Sequence, residues 1–429
     1  MDLTQLKERG KITAVTLYSS TSYFQYRMEP MGYEYDLINE FAHSQGLKLN
    51  IVVAENVTKL INMLQVGEAD VVAYPIPISN QLKSEVLFCG REEVSSQVLV
   101  QRELIRDVTE LIGKDIYVTP GSKYHDRLKN LDIELGGGIN IHDIGRDTIT
   151  TEDLIEMVSE GIIPYTISDD KIARLNKTYY GNIDVSLEVS FRQRSSWVVR
   201  RSSPELAKAI NDWASDQTGE RTYKAAVKRY FELSKKILEI SMPDIKKGNI
   251  SPYDDLFKKY APSLGWDWKL LASLAYQESH FKLTVISWAG AQGLMGIMPG
   301  TAQSLGVATD DLTNPETSIR TGIEVLRRFR KGFESIPDSL DVIKFTLASY
   351  NAGIGHVHDA QRLAEKFGKN ALVWDDNVAE FILKKREPEY YNDPVVKFGY
   401  LRGTETFNYV REILGRYDYY TQQMNIITQ

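Results

Sequence analysis

The hydrophobic period of the chain changes near residue 250, and that change constrains the fold more than any other feature. From residue 11 to about 232, short β-rich runs (12–17, 49–53, 70–74, 96–100, 115–118 and 164–167) alternate with helical stretches such as 35–44 and 57–66. Alternation of this kind is the pattern of an α/β domain. From about residue 255 onward the strand signals vanish and amphipathic helices follow one another. Asn314-Pro315-Glu316, for example, supplies an N-cap, a Pro at the first helical position and an early acid. Ile319, Ile323, Leu326 and Phe329 then form one face before Gly332 ends the helix. Between the halves, the stretch from Ser241 to Pro252 mixes Pro, Gly and polar residues without periodicity, as a linker does. The expected organisation is an α/β domain over 1–240, a linker over 241–254 and an all-α domain over 255–429.

Composition narrows the function classes. A chain of 429 residues with 42% hydrophobic and 25% charged residues is a globular protein of two or three domains. Its net charge of -7 argues against a nucleic-acid partner, which calls for a basic footprint. Cys89 is the single cysteine, so no intrachain disulfide forms, and the thiol is expected to be a buried hydrophobe. The histidines, among them His125, His142, His356 and His358, lack ligand spacing and a completing carboxylate or thiolate cluster. No metal and no cofactor is expected. No run reaches the roughly 18 apolar residues of a membrane span. The first ten residues lack the apolar core of a signal peptide, which leaves a cytosolic protein or a trimmed mature form.

Chemistry concentrates in the second half. Leu270, Leu274 and Glu278 fall at i, i+4 and i+8 on a predicted helix, with Leu271 and Ala275 beside them. A carboxyl at the end of an apolar face resists ionisation, which raises its pKa and suits a general acid. A lone Glu in such a place is usually a solvated helix end; the neighbouring motifs decide otherwise. Glu278-Ser279, the run Gly290-Ala-Gln-Gly-Leu-Met-Gly-Ile-Met-Pro299, Ala348-Ser-Tyr-Asn-Ala-Gly353 and Glu405-Thr-Phe-Asn-Tyr-Val410 occur in that order. Together they resemble the soluble-lytic-transglycosylase, or goose-lysozyme-like, catalytic domain over roughly residues 255–425.

That resemblance implies Glu278 as the single acid and base. Ser279 would orient the turn after it, Ser287 would contact the sugar near the cleaved bond, and Tyr350, Asn351 and Tyr409 would line the cleft. Met298 is readable as cleft wall or core. Gly290, Gly293, Gly296 and Gly300 would let the backbone approach the glycan. The usual Gly-Leu-Met-Gln reads Gly-Leu-Met-Gly here, so Gly296 stands where a glutamine often contacts a sugar.

In the first half, the segment from Gly32 to Phe41 and the segment from Gly67 to Tyr74 resemble the solute-binding domain of the amino-acid-binding type, a two-lobed α/β fold. In that family a Thr-x-x-Arg follows the strand and its Arg clamps a ligand carboxylate. This chain has Ser79-Asn-Gln-Leu82, so the anchor is absent, and Lys83 beside it is expected to be solvated. By the same resemblance Ser79, Ser122 and Asp169 are candidate ligand contacts, although Ser122 and Asp169 are equally readable as N-cap or loop residues.

The pairing of the two domains resembles the membrane-bound lytic transglycosylase F family. It implies an α/β two-lobed periplasmic-binding-protein-like domain followed by an all-α lysozyme-like domain. The implied partner is the glycan strand of peptidoglycan, cut between N-acetylmuramic acid and N-acetylglucosamine to leave 1,6-anhydromuramoyl ends. A muropeptide or amino-acid-like ligand would occupy the first domain. The implied location is the periplasm and outer membrane, through a removed N-terminal segment. Two other readings stay open: a muramidase using water, and a ligand-binding sensor with a weak catalytic half.

Overall fold

The computed structural model describes residues 1–144, 150–233, 235 and 249–428. They divide into two compact units. The first comprises Met1–Phe24 and Met31–Lys236; the second comprises Ile237–Gln429 together with Gln25–Pro30. Within the expected linker, residues 241–248 lie outside the described residues, and the described part leads into the Asp254–Tyr260 helix.

The first unit holds two sheets. β1 (Lys11–Leu17), with five consecutive buried residues, has the near-continuous apolar run of a strand covered on both faces. It pairs in parallel with β4 (Lys48–Ala54), in register from Lys11 opposite Lys48 to Leu17 opposite Ala54, and on its other edge with β5 (Val71–Pro77). β11 (Gln193–Arg200) then runs antiparallel between β5 and β6 (Val86–Ser95), giving the order β4-β1-β5-β11-β6. Helices Tyr33–Ser44 and Val57–Gln65 pack against this sheet, each within two residues of the sequence expectation.

The second sheet has the order β7-β10-β8-β9, from β7 (Gln97–Gln101), β8 (Asp115–Val118), β9 (Asn140–Asp143) and β10 (Tyr165–Asp169). The chain crosses between the sheets from β6 to β7 and returns from β10 to β11, so each sheet with its helices is a lobe with its own core. Val15, Leu60, Leu64 and Val198 centre one core and Leu99, Ile116, Leu128 and Ile167 the other. Cys89 is buried, and burial pushes its thiol well above the ordinary range.

The second unit is a helical bundle with one hydrophobic core. At its centre is the Trp268–Ser279 helix. The sequence suggests a stripe, but Ala272, Ser273 and Tyr276 are buried along with Leu270, Leu271, Leu274 and Ala275. A helix covered on all sides needs partners for its polar groups. The Ser273 hydroxyl donates to the Ile413 carbonyl at 2.7 Å, and Arg416 donates to the Ser273 carbonyl at 3.1 Å, both from the Gly403–Thr428 helix.

The Pro315–Lys331 helix starts as expected, with the Asn314 side chain accepting from the Thr317 N–H at 3.0 Å. Its end differs from the usual left-handed stop. Gly332 stays right-handed, and a Cβ there would lie 2.7 Å from the tip of the Ile354 side chain, Cδ1.

Candidate functional site

Glu278 sits in the last turn of its helix, which closes through two non-glycine residues in left-handed conformation, His280 (φ 51°) and Phe281 (φ 61°). Each costs about 1–2 kcal/mol, so the surrounding structure must hold the turn. Ser279 does part of this: its buried hydroxyl reaches the Ala275 carbonyl at 3.1 Å and the Leu294 carbonyl at 2.9 Å, tying the helix end to the glycine-rich run.

That run folds back on itself beside the acid. Ser287 N–H donates to the Ala291 carbonyl at 2.9 Å and its hydroxyl accepts from Ala291 N–H at 3.0 Å, so its side chain shapes the turn here. Tyr350 donates its hydroxyl to the Met295 carbonyl at 2.8 Å, and Met298 is buried at the start of the Pro299–Ser304 helix.

Gly296 has φ +59°, and a Cβ on it would lie 2.1 Å from Glu278 Oε2. Even the first carbon of the expected glutamine would collide with the acid. Gly293 needs its freedom for a protein neighbour too, since a Cβ there would lie 2.3 Å from the Leu312 carbonyl oxygen. At these two positions the backbone approaches protein, where the resemblance led one to expect a glycan.

On the opposite wall, the Tyr409 hydroxyl donates to Glu278 Oε1. One turn earlier on the same helix, Glu405 lies 3.5 Å from Asn351 Nδ2. Thr406 donates to Asn351 Oδ1 at 2.7 Å, which fixes the orientation of that amide. Burial and the nearby Glu278 charge hold both Tyr350 and Tyr409 well above the usual phenol pKa, so both are donors.

A group that the motifs do not contain completes the site. Arg27 makes a two-pronged pair with Glu278, 2.9 Å to Oε2 and 3.0 Å to Oε1, and also donates to the Gly296 carbonyl at 2.9 Å. The partners are 251 residues apart in sequence, and their side chains are 11% and 4% exposed. Burial works against the Arg27 charge, but the Glu278 carboxylate outweighs it and holds the guanidinium's pKa well above its ordinary value. Bidentate charge-assisted pairing of this kind is the strong form of the interaction.

Arg27 and Met28 form the tight turn between β2 (Phe24–Tyr26) and β3 (Glu29–Met31), with φ of 50° and 70°. A two-residue hairpin turn with both φ positive favours Asn-Gly. Arg-Met in that place is strained and is held by contacts: Arg27 N–H to the Ala352 carbonyl at 3.2 Å, Gly300 N–H to Glu29 Oε1 at 2.8 Å, and His356 Nε2 to the Gln25 carbonyl at 3.1 Å. His356 is oriented in turn by Lys385, whose Nζ lies 2.9 Å from Nδ1 and 2.6 Å from Asp359 Oδ2. Burial pushes the Lys385 pKa down to about 8 and that of His356 well below its usual value. The imidazole is therefore neutral, accepting at Nδ1 and donating at Nε2.

In the first unit the candidate ligand contacts serve local structure. Ser79 and Ser122 are N-caps, accepting from Leu82 N–H and His125 N–H, each at 3.2 Å. Asp169 pairs with Lys123 at 2.5 Å. Leu82 packs on the core of its lobe.

Sequence reasoning missed a second group of charges in this unit. Glu34 is 4% exposed and accepts from Trp197 Nε1 at 2.7 Å, while Lys171 pairs with Glu93 and lies 3.7 Å from Glu34. Burial, against the pull of Lys171, raises the Glu34 pKa to about 7. The Ser20 hydroxyl of the first lobe donates to Glu152 of the second.

Two domain families match the chain. Residues 12–233 match "Bacterial extracellular solute-binding proteins, family 3", and residues 255–373 match "Transglycosylase SLT domain". The protein is thus of a class that joins a solute-binding-type α/β domain to a lysozyme-like helical domain. A protein of Desulfosudis oleivorans named membrane-bound lytic murein transglycosylase F is 30% identical over 98% of this chain and 92% of its own length. Proteins of the same name from Pseudomonas fluorescens and Aeromonas salmonicida are 31% and 30% identical, over 98% and 96% of this chain and 86% and 82% of their own lengths. The chain belongs to the membrane-bound lytic murein transglycosylase F family. Glu405 and Tyr409 lie beyond the matched transglycosylase segment, on the helix that faces Glu278.

Proposed function

We propose that this chain is a peptidoglycan lytic transglycosylase in which Glu278 is both acid and base. The observation that carries this reading is the Glu278 carboxyl, its side chain 4% exposed, with the Tyr409 hydroxyl on one oxygen and the Gly296 backbone against the other. Most glycosidases need a second carboxylate to act as nucleophile or to activate water. Here the muramoyl C6 hydroxyl supplies the nucleophile. Protonated Glu278 gives its proton to the glycosidic oxygen as the C1–O bond breaks. The resulting carboxylate takes the C6 hydroxyl proton as O6 bonds to C1, leaving a 1,6-anhydro end and restoring the acid. A positioned acid and base of this kind contributes about 10²–10⁴ in rate, and the intramolecular attack saves translational entropy.

The described state is closed to this reaction. Arg27 holds both carboxylate oxygens, so an acid proton and a glycosidic oxygen have no place until the 25–30 segment leaves. This supports a regulated enzyme in which the solute-binding-type domain senses a ligand, with a muropeptide rather than a free amino acid as the candidate because Leu82 replaces the carboxylate-binding arginine. The peptidoglycan substrate supports a periplasmic enzyme associated with the outer membrane; among the described residues no helix is long and apolar enough to cross a membrane.

Digestion of purified sacculi, with mass spectrometry of the products, tests the chemistry. The wild type should release 1,6-anhydromuropeptides and Glu278→Gln should lose activity by about 10²-fold or more. Reducing muramoyl ends would mean a muramidase, and release by Glu278→Gln at the wild-type rate would remove Glu278 from the mechanism.

A further inference from the structure

We propose that Trp288 and Glu405 form a sugar subsite beside the catalytic acid, selective for an N-acetylglucosamine ring, and that Tyr26 occupies it as an internal surrogate. This inference rests on the reading of the Glu278 cleft as a glycan site.

Tyr26 immediately precedes the arginine that blocks Glu278. Its ring lies 5.2 Å from the Trp288 ring at 47°, and its hydroxyl donates to Glu405 Oε1 at 3.1 Å. A six-membered ring packed at a tilt against an indole, with one hydroxyl on a carboxylate, offers the two contacts that also hold a pyranose: an aromatic surface for its C–H face and a fixed acceptor for a hydroxyl or amide N–H. Burial and the Glu405 and Glu278 charges, opposed by Arg27, hold the Tyr26 hydroxyl well above its ordinary pKa, so it mimics a neutral sugar donor.

Glu405 is built in place. It lies in the first turn of the Gly403–Thr428 helix, where a carboxylate suits the helix dipole. A Cβ on Gly403 would lie 1.7 Å from the Ile382 carbonyl oxygen, so the start of that helix is seated against backbone. The Asn351 amide, oriented by Thr406, faces Glu405 from the other side. Tyr409, four residues on, reaches Glu278, so one rigid helix sets the distance between subsite and acid. The Glu405 charge also gives the selection. A ring bearing a lactyl branch and its carboxylates is repelled, whereas an N-acetylglucosamine ring brings only neutral donors.

The test uses the full chain carrying Tyr26→Ala, Arg27→Ala and Glu278→Gln, which empties the cleft and prevents turnover. The probe is an N-acetylglucosamine tetramer, with binding measured by titration calorimetry and folding checked by thermal unfolding. Adding Trp288→Ala or Glu405→Ala should each weaken binding by roughly tenfold, a typical loss for one stacked ring or one charge-assisted hydrogen bond. Trp288→Phe should restore most of it. With Glu278 retained, Trp288→Ala should raise KM on sacculi with little change in kcat. Equal binding by the Trp288→Ala and Glu405→Ala chains overturns the subsite and leaves the transglycosylase reading standing. So does failure of the emptied chain to bind the tetramer while its Glu278 counterpart cleaves sacculi. Neither binding nor cleavage would remove the glycan-cleft reading, and the subsite with it.

Discussion

The two units occupy their polar sites in different ways. In the solute-binding-type unit, the residues that the resemblance marks as ligand contacts are each taken up within one lobe: Ser79 and Ser122 cap the helices that follow them, and Asp169 pairs with the exposed Lys123. In the helical unit, the Glu278 carboxyl is taken up by Arg27, from a strained turn 251 residues away. Local pairing stabilises a fold and costs little to rearrange. Long-range pairing on the carboxyl proposed as the catalytic acid is the contact that the proposed regulation would have to break.

Removing the long-range contact should have the largest effect. Charge-assisted hydrogen bonds are worth about 1.5–3 kcal/mol, so Arg27→Ala should raise the rate of sacculus digestion by roughly 10- to 100-fold. An unchanged rate would reduce the contact to packing.

A smaller effect separates the units by pH. Folded His356 has its pKa held well below the ordinary 6.5, mainly by burial and by Lys385. As pH falls through 6.5 the unfolded chain takes up a proton that the folded chain refuses, so stability falls by up to ~1.4 kcal/mol per pH unit. Glu34 has the opposite sign. Folded, it keeps its proton up to about 7, against an ordinary value of 4.5. Between those values the unfolded chain binds fewer protons, so its contribution is lost as pH rises. Thermal unfolding between pH 5 and 7 (roughly the window of both groups) should show a flatter acid limb in His356→Gln and a flatter neutral limb in Glu34→Gln. Identical slopes in wild type and variant would contradict the assignment.

The smallest effect belongs to the solvent-exposed pair of the first unit. Lys123 is 60% exposed in its pair with Asp169, so Asp169→Ala should cost only ~0.2–1 kcal/mol in thermal unfolding and leave sacculus digestion unchanged.

What the sequence disclosed follows the same division. Strand and helix positions came from period and caps, which are local. Glu278, Ser279, Tyr350, Asn351 and Tyr409 came from ordered motifs; in the structure Tyr409 reaches Glu278, Ser279 and Tyr350 hold the glycine-rich run beside it, and Asn351 faces Glu405. Glu405 lay inside a motif, but its acceptor role needs Asn351 and Tyr26 in place. Arg27 carried no turn signal in the sequence, since Arg-Met stands where a two-residue hairpin favours Asn-Gly, and nothing in the sequence named its partner. Gly296 reads as a lost sugar contact in sequence; in space it makes room for Glu278 and offers its carbonyl to Arg27.

The most direct measurement is the rate of 1,6-anhydromuropeptide release from sacculi by the wild type, Arg27→Ala, and Arg27→Ala combined with Glu278→Gln. The account predicts that Arg27→Ala is faster than wild type and that the double variant is inactive. A double variant as fast as Arg27→Ala would contradict it.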